Sequence, residues 1–468
     1  RGLGSGLSVA FFSAGLGYYY TLLGRDDFHQ EGGEPPGRWV GEGAARLGLE
    51  GVVRPDELHN LLQGFGPDGA EELVSNAGSP KRRAGLDLTF SADKSVSVLW
   101  ALSGEEDRAD IEAAHQKAVG AGLDFLSRHA VWTRRGHAGE EFERASIPFA
   151  SFFHTTSRAQ DPLIHTHVLA PNIGVREDGS TSAVWNRDIL HHKLAAGMLY
   201  RVQLAYELTQ LGYAVGTDKK QGFSHVAGVP KELTQAFSKR RQQIEHQLRE
   251  TGFASPRAAG VAALSTRDVK GHTARDVLFE KWRDEASELG LSQDSVLQSV
   301  RHEADKSQPA SVDITSAGLL AALGLATKQA SFWLHDLIHQ TGKGIAHGTV
   351  TARQLEAGAL ETLASVETIQ VARGKRHTLY STKSELEREG GLLQSATGLT
   401  ERTGPVLAEK TRKSVKARHG WMVGQGEGAN AFDYLTNTHG RLKLVSGLAG
   451  TGKTSLLRAA REAWESGG

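Results

Sequence analysis

The chain has 468 residues, no cysteine, 20 histidines, and 54 basic residues against 54 acidic ones. Length points to two to four domains, and the absence of cysteine excludes disulfides, thiolate nucleophiles and zinc-finger ligand sets. Zero formal net charge excludes a uniformly basic nucleic-acid coat but not a local basic groove.

There is no run of eighteen apolar residues and no signal peptide, so the chain reads as soluble and cytosolic, without membrane insertion. The leading "RGLGSG" reads as a linker, and "LSVAFFS" as a short strand. "GLGYYYTLLG" then sets Tyr18, Tyr19 and Tyr20 in a row, by itself an aromatic packing cluster. In "LDLTFSA", Leu86, Leu88 and Phe90 alternate with Asp87 and Thr89, the pattern of a strand with one apolar face. A helix is expected over 105–128. The basic clusters "KRR" (81–83), "RR" (134–135), "SKRRQQ" (238–243) and "EKTRKSVKARHG" (409–420) are mostly solvated faces.

"FFHTTSRAQDPLIHTHVLAPN" (152–172) holds His154, His165 and His167. Chance gives roughly one H-x-H in a chain of this composition, so the pair alone is weak. Its setting says more. "IPFASFFHT" and the apolar, β-branched run around His165 read as two strands joined by the turn "SRAQDP". Residues two apart on a strand share a face, so His165 and His167 project together, and a hairpin can bring His154 across from them. Three imidazoles with nothing else to bind leave a metal with open positions, which suits a catalytic ion.

An amphipathic helix is expected from about Arg187, stopped by Gly212, and a second runs from Pro230 through "KELTQAFSKRRQQIEHQLRETG". Strands and helices mix without a βαβ rhythm, so the fold class is α+β: an antiparallel sheet flanked by helices, with a helical subregion near 228–262. A polar stretch at 302–313 reads as a linker. After it come helical patterns and a hairpin, "ETIQVA" and "HTLYST" around "RGKR", a winged-helix-like arrangement. The strand "RLKLVSG" then leads into "GLAGTGKTS". Gly447, Gly452, Lys453 and Thr454, with Gly450 inside the loop, match the phosphate-binding loop in its strand-to-helix setting. Backbone N–H groups would cradle phosphates, Lys453 would reach the outer ones, and Thr454 would hold Mg²⁺. Too few residues follow for a second acidic strand or an arginine finger, so this chain is not expected to hydrolyse ATP or unwind DNA.

Beside a three-histidine site, a tyrosine acquires a chemical role. Its hydroxyl can attack a phosphodiester and hold the DNA end as an aryl phosphate, which reverses without an external energy source, while a metal polarises the phosphate oxygens. "AGLGYYYT", "RWVGEGAARLGLEG", "GLDLTFSADKSVS" and "FFHTTSRAQDPLIHTH" together resemble the MobF family of conjugative relaxases, HUH endonucleases fused to a helicase.

The resemblance implies an HUH relaxase domain over 1–305, a linker and winged-helix-like helicase N-terminal region over 306–395, and the start of a truncated, RecA-like P-loop helicase domain over 396–468. It implies Tyr19 as nucleophile, with Tyr18 and Tyr20 in the neighbouring registers, and His154, His165 and His167 as ligands of a divalent metal (Mg, Mn or Zn). Asp87 would orient a metal-binding imidazole or help deprotonate the tyrosine, and ATP would serve the intact helicase only. The implied partners are single-stranded DNA at a plasmid transfer origin, accessory relaxosome proteins and a type IV secretion coupling protein. The implied setting is the bacterial cytoplasm, with passage into the recipient. The chain departs from the family at "RDDFHQEGG", where Phe28 and His29 stand in place of a second tyrosine pair. The alternatives are a rolling-circle replication initiator, a three-histidine metal oxygenase, and a DNA-binding ATPase module whose histidines are structural.

Overall fold

The structure, a computed structural model, describes residues 6–13, 34–157, 159–218, 222–251, 274–306, 311–404, 406–423 and 425–467. It divides into two compact units, Arg1–Thr382 and Lys383–Gly468.

The strands of the first unit include β1 (Leu7–Ser13), β2 (Arg38–Val40), β3 (Arg83–Ser91), β4 (Trp132–Arg135), β5 (Glu141–Arg144), β6 (Phe149–Thr156) and β7 (Pro162–Pro171). Five of them form one sheet in the order β1-β3-β7-β6-β2, and every neighbouring pair is antiparallel. β4 and β5 make a separate hairpin. Strand alternation gives the sheet two different faces. On one, Leu86, Leu88, Phe90, Phe153, Ile164 and Val168 join a large core. It is shared with helices α3 (Lys94–Leu102), α4 (Glu105–His129) and α5 (Asn186–Gln210). On the other, Phe12, Trp39, Ala150, Phe152 and Leu169 pack under α1 (Glu42–Arg46) and α2 (Pro55–Gln63). Each fully buried Leu or Phe contributes about 1.5–3 kcal/mol, so both faces stabilise the sheet that carries the histidines. Gly37 lets β2 enter over this second core: a Cβ there would lie 2.3 Å from the Phe152 ring.

The structure departs from the sequence expectations at three elements. First, α5 is not amphipathic. Residues 195–202 are all buried, because β1, α4 and the helices Leu334–Gly344 and Ala352–Ala364 cover it from several sides. It does end as expected, with Gly212 in the left-handed region at φ 88°. Second, the helix after Pro230 breaks into Lys231–Ala236 and Lys239–Thr251. Phe237 turns into the core between them, and the distant Asp161 side chain accepts from the Lys239 N–H at 2.8 Å, capping the second piece. Third, residues 441–447 form no strand. A strand needs a ladder partner, and among the described residues of the second unit there is none.

Helices Ile314–Gln329, Leu334–Gly344 and Ala352–Ala364, followed by the hairpin Thr368–Arg373 and Thr378–Thr382, belong to the first unit. Two charged contacts bind this region. Buried Asp188 on α5 accepts from Arg376 Nε and lies 2.7 Å from His377 Nε2, at the tip of the hairpin. Glu356 accepts from Arg128 at 2.7 Å and lies 2.8 Å from His129 Nε2. The second unit is helical. It centres on Leu407, Val415, Val423, Phe432, Leu456, Ala459 and Ala463.

Burial alone would raise the Glu356 carboxyl, but the hydrogen bonds from Arg128 and His129 outweigh it and hold it down to about 2. A carboxylate depressed in the folded state contributes stability in full above its unfolded value, here near 4.5, and loses it as pH falls toward about 2. Glu356→Gln should therefore lower stability by about 3 kcal/mol at pH 6 and by much less at pH 2.5. Urea midpoints of wild type and variant across that range check this; a constant gap would refute it.

Candidate metal centre

The hairpin of β6 and β7 builds the site. Its ladder sets His154 directly opposite His165 and Phe152 opposite His167, so all three imidazoles emerge on the face of Asp87 and Thr89. The turn is tied down from several sides. Ser157 N donates to Asp161 O at 2.9 Å, Gln160 takes a positive φ of 59°, and Trp282 Nε1 donates to Gln160 O at 2.9 Å. Between His154 and Thr156 the pairing shifts by one residue, a bulge that re-aims the strand next to the site.

The ring centroids lie 5.4 Å (His154–His165), 5.5 Å (His154–His167) and 5.2 Å (His165–His167) apart. Three imidazoles sharing one tetrahedral ion at about 2.0–2.1 Å would have centroids about 5 Å apart, so the spacing fits a metal. Each Nδ1 has an acceptor. His154 Nδ1 lies 2.6 Å from Glu34 Oε2, His165 Nδ1 2.9 Å from Leu163 O, and His167 Nδ1 2.9 Å from both Asp87 oxygens. A carbonyl or carboxylate can only accept, so the proton of each ring sits on Nδ1 and the Nε2 lone pair is left for a ligand. Burial, with the neighbouring His167 and His154, pushes His165 well below its usual value and keeps it neutral. As placed, however, no group of three or more His, Cys, Asp or Glu among the described residues is arranged to hold a metal ion, so the centroid spacing alone carries the comparison.

Asp87 faces His167. Thr89 Oγ1 steadies it, donating to Asp87 Oδ1 at 3.1 Å. Glu34 was missed. It is buried, and its second oxygen accepts from Thr155 N at 3.0 Å, so one carboxylate fixes both the backbone and the ring beside it. Its only signal is a glutamate directly before "PPG", where proline stiffens the chain. Tyr18, Tyr19, Tyr20, Phe28 and His29 lie outside the described residues.

In the second unit, Gly450 and Gly452 take positive φ values of 79° and 82° and a helix starts at Lys453, but among the described residues no strand precedes the loop. Lys453 Nζ is folded back on the loop, donating to Gly447 O at 2.7 Å and Leu448 O at 2.6 Å. Thr454 follows at the start of the helix.

Among the described residues, no helix is long and apolar enough to cross a membrane. The TrwC relaxase family matches residues 13–289, and an AAA domain family matches 425–468. The multifunctional conjugation protein TraI of Escherichia coli is 32% identical over 390 residues, 79% of this chain and 21% of TraI. The chain thus spans about a fifth of the length of that relative. The conjugal transfer protein TraA of Rhizobium radiobacter is 32% identical over 103 residues, 22% of this chain and 9% of TraA. Among solved structures, the copper-bound conjugative relaxase TrwC in complex with oriT DNA aligns at 31% identity with a TM-score of 0.55, covering 61% of this chain and 99% of TrwC. The metal-bound TrwC complex aligns at 30% identity and a TM-score of 0.56 over the same shares. Matched by that family over more than half of its length, and built on the same antiparallel relaxase fold, the chain belongs to the TrwC relaxases, of the MobF type.

Proposed function

We propose that this chain nicks one DNA strand at a plasmid transfer origin by metal-dependent transesterification, forms a 5′-phosphotyrosyl adduct, and rejoins DNA after transfer. The observation that carries this reading is the set of three imidazoles whose Nδ1 atoms are all taken by acceptors, leaving three Nε2 atoms on one sheet face. Two similarities support it: TrwC is described in complex with oriT DNA and with metal, and TraI as a conjugation protein.

His154, His165 and His167 would hold a divalent ion through Nε2. Mg or Mn is the reading, with Zn as the alternative. When bound, the ion polarises the scissile phosphate oxygens and offsets the charge that develops on them. Glu34, Leu163 O and Asp87 keep the rings in one tautomer and one orientation, and with both oxygens on His167 Nδ1, Asp87 acts as an orienting carboxylate. The Tyr19 hydroxyl is the nucleophile, with Tyr18 and Tyr20 as neighbours in register. Its oxygen bonds to phosphorus as the phosphorus–O3′ bond breaks; the phenol proton is given up and the 3′ oxygen takes one. Rejoining runs the same exchange backward from a free 3′-hydroxyl. The substrate is single-stranded or extruded DNA, and relaxosome proteins, a type IV coupling protein and passage to the recipient belong to the same reading. The loop around Gly447, Gly450, Gly452, Lys453 and Thr454 would take ATP phosphates in an intact helicase, once Lys453 turns from its carbonyls.

His165→Ala removes one ligand of three and should lower nicking of transfer-origin DNA by about 100-fold or more while the fold persists. Chelation of wild type should do the same, with recovery on added Mn²⁺. Full cleavage by the variant in EDTA would sink the metal assignment. For the nucleophile, Tyr19→Phe should nearly eliminate the SDS-stable DNA adduct, whereas Tyr18→Phe and Tyr20→Phe keep most of it. A different ranking on a denaturing gel would move the role to another tyrosine.

A further inference from the structure

Thr166 lies between His165 and His167 on β7, and alternation sends its side chain to the opposite face of the sheet. There it is fully buried. Its Oγ1 lies 2.8 Å from His115 Nε2 and accepts from Gln116 Nε2 at 3.3 Å. His115 Nδ1 lies 2.9 Å from the Tyr200 hydroxyl, so a polar chain runs from α5 through α4 to the metal strand. Its surroundings are apolar: Phe153 packs 5.7 Å from His115 and Phe90 5.4 Å from Tyr200, centroid to centroid. Burial pushes His115 down to about 3, which leaves a neutral ring with one donor and one acceptor nitrogen, matched to two hydroxyls.

Polar groups in such a core add little stability over apolar ones of the same shape, but they are costly to leave unpaired. That asymmetry matters here because the hairpin contains two registers. Near the turn Thr156 faces Pro162; beyond the bulge His154 faces His165. Continuing the turn's register would set His154 opposite Ile164 and His165 opposite Phe153, so His165 and His167 would leave the face of His154. Backbone ladders accept either arrangement. The slipped one would also draw Thr166 to the face of His154 and leave His115 facing no hydroxyl on β7.

We infer that Tyr200, His115 and Thr166 are positioning residues that hold β7 against the one-residue slip that would separate the three histidines. The inference rests on the reading of those histidines as a metal site.

The test is titration of the full chain with Mn²⁺ alone, well below the unfolding midpoint, with circular dichroism confirming the fold. Thr166→Val keeps the shape and removes the hydroxyl; Thr166→Ser keeps the hydroxyl. The expectation is a dissociation constant weakened about tenfold or more for Thr166→Val and His115→Phe, and restored for Thr166→Ser, whatever the change in thermal midpoint. Wild-type affinity in folded Thr166→Val would overturn the inference and leave the metal reading standing. Absence of Mn²⁺ uptake by wild type would overturn both. If Thr166→Val does not fold, Tyr200→Phe at the far end of the chain decides in the same way: weaker binding supports the inference and wild-type binding overturns it.

Discussion

Side chains of a strand alternate between two faces, so a one-residue slip between the two strands would take His165 and His167 off the face of His154. That constraint governs the first unit. The bulge after His154 reconciles the turn with the register that pairs His154 with His165, and β3, on the far side of β7, brings Asp87 and Thr89 to the same face. The turn is held in place by Trp282 and by the helix that Asp161 caps, so elements distant in sequence bear on the geometry of one hairpin.

Electrostatics completes what register begins. A cluster of three imidazoles would repel itself if charged, and burial already disfavours the charged form of His165. The two carboxylates beside the cluster, Glu34 and Asp87, are buried and face ring Nδ1 atoms, which fixes where each proton sits. The same sheet face carries an apolar cluster beside the site, through Phe152 and Leu169, and apolar walls limit the rearrangements open to the rings.

Much of this was legible in the sequence, because the signals are local. The alternation around Leu86, Leu88 and Phe90, the spacing of His165 and His167, and the turn residues between the strands each report on neighbours in the chain. What escaped depends on tertiary contacts. Glu34 reaches His154 from 120 residues away, and Arg128 meets Glu356 across 228. Neither residue carries a mark of its partner. The periodicity of α5 gave no warning that several elements would cover it, and the run 441–447 is β-prone yet has no strand to pair with among the described residues. The polar stretch at 302–313 reads as a boundary, but the helices and hairpin after it join the first unit through Asp188 and Glu356, contacts that composition cannot register. His115 reads as one more core histidine until its two hydroxyl partners are known.

The central claim is that the three histidines present Nε2 to an ion because each Nδ1 is held by an acceptor. Nitrogen-15 NMR of the metal-free chain, with the His154, His165 and His167 signals assigned by single substitution, measures this directly. The account predicts the Nδ1–H tautomer for all three rings, and a shift on adding Zn²⁺ that appears at Nε2. A proton found on Nε2 of any of the three, or a metal-induced shift at Nδ1, would contradict it.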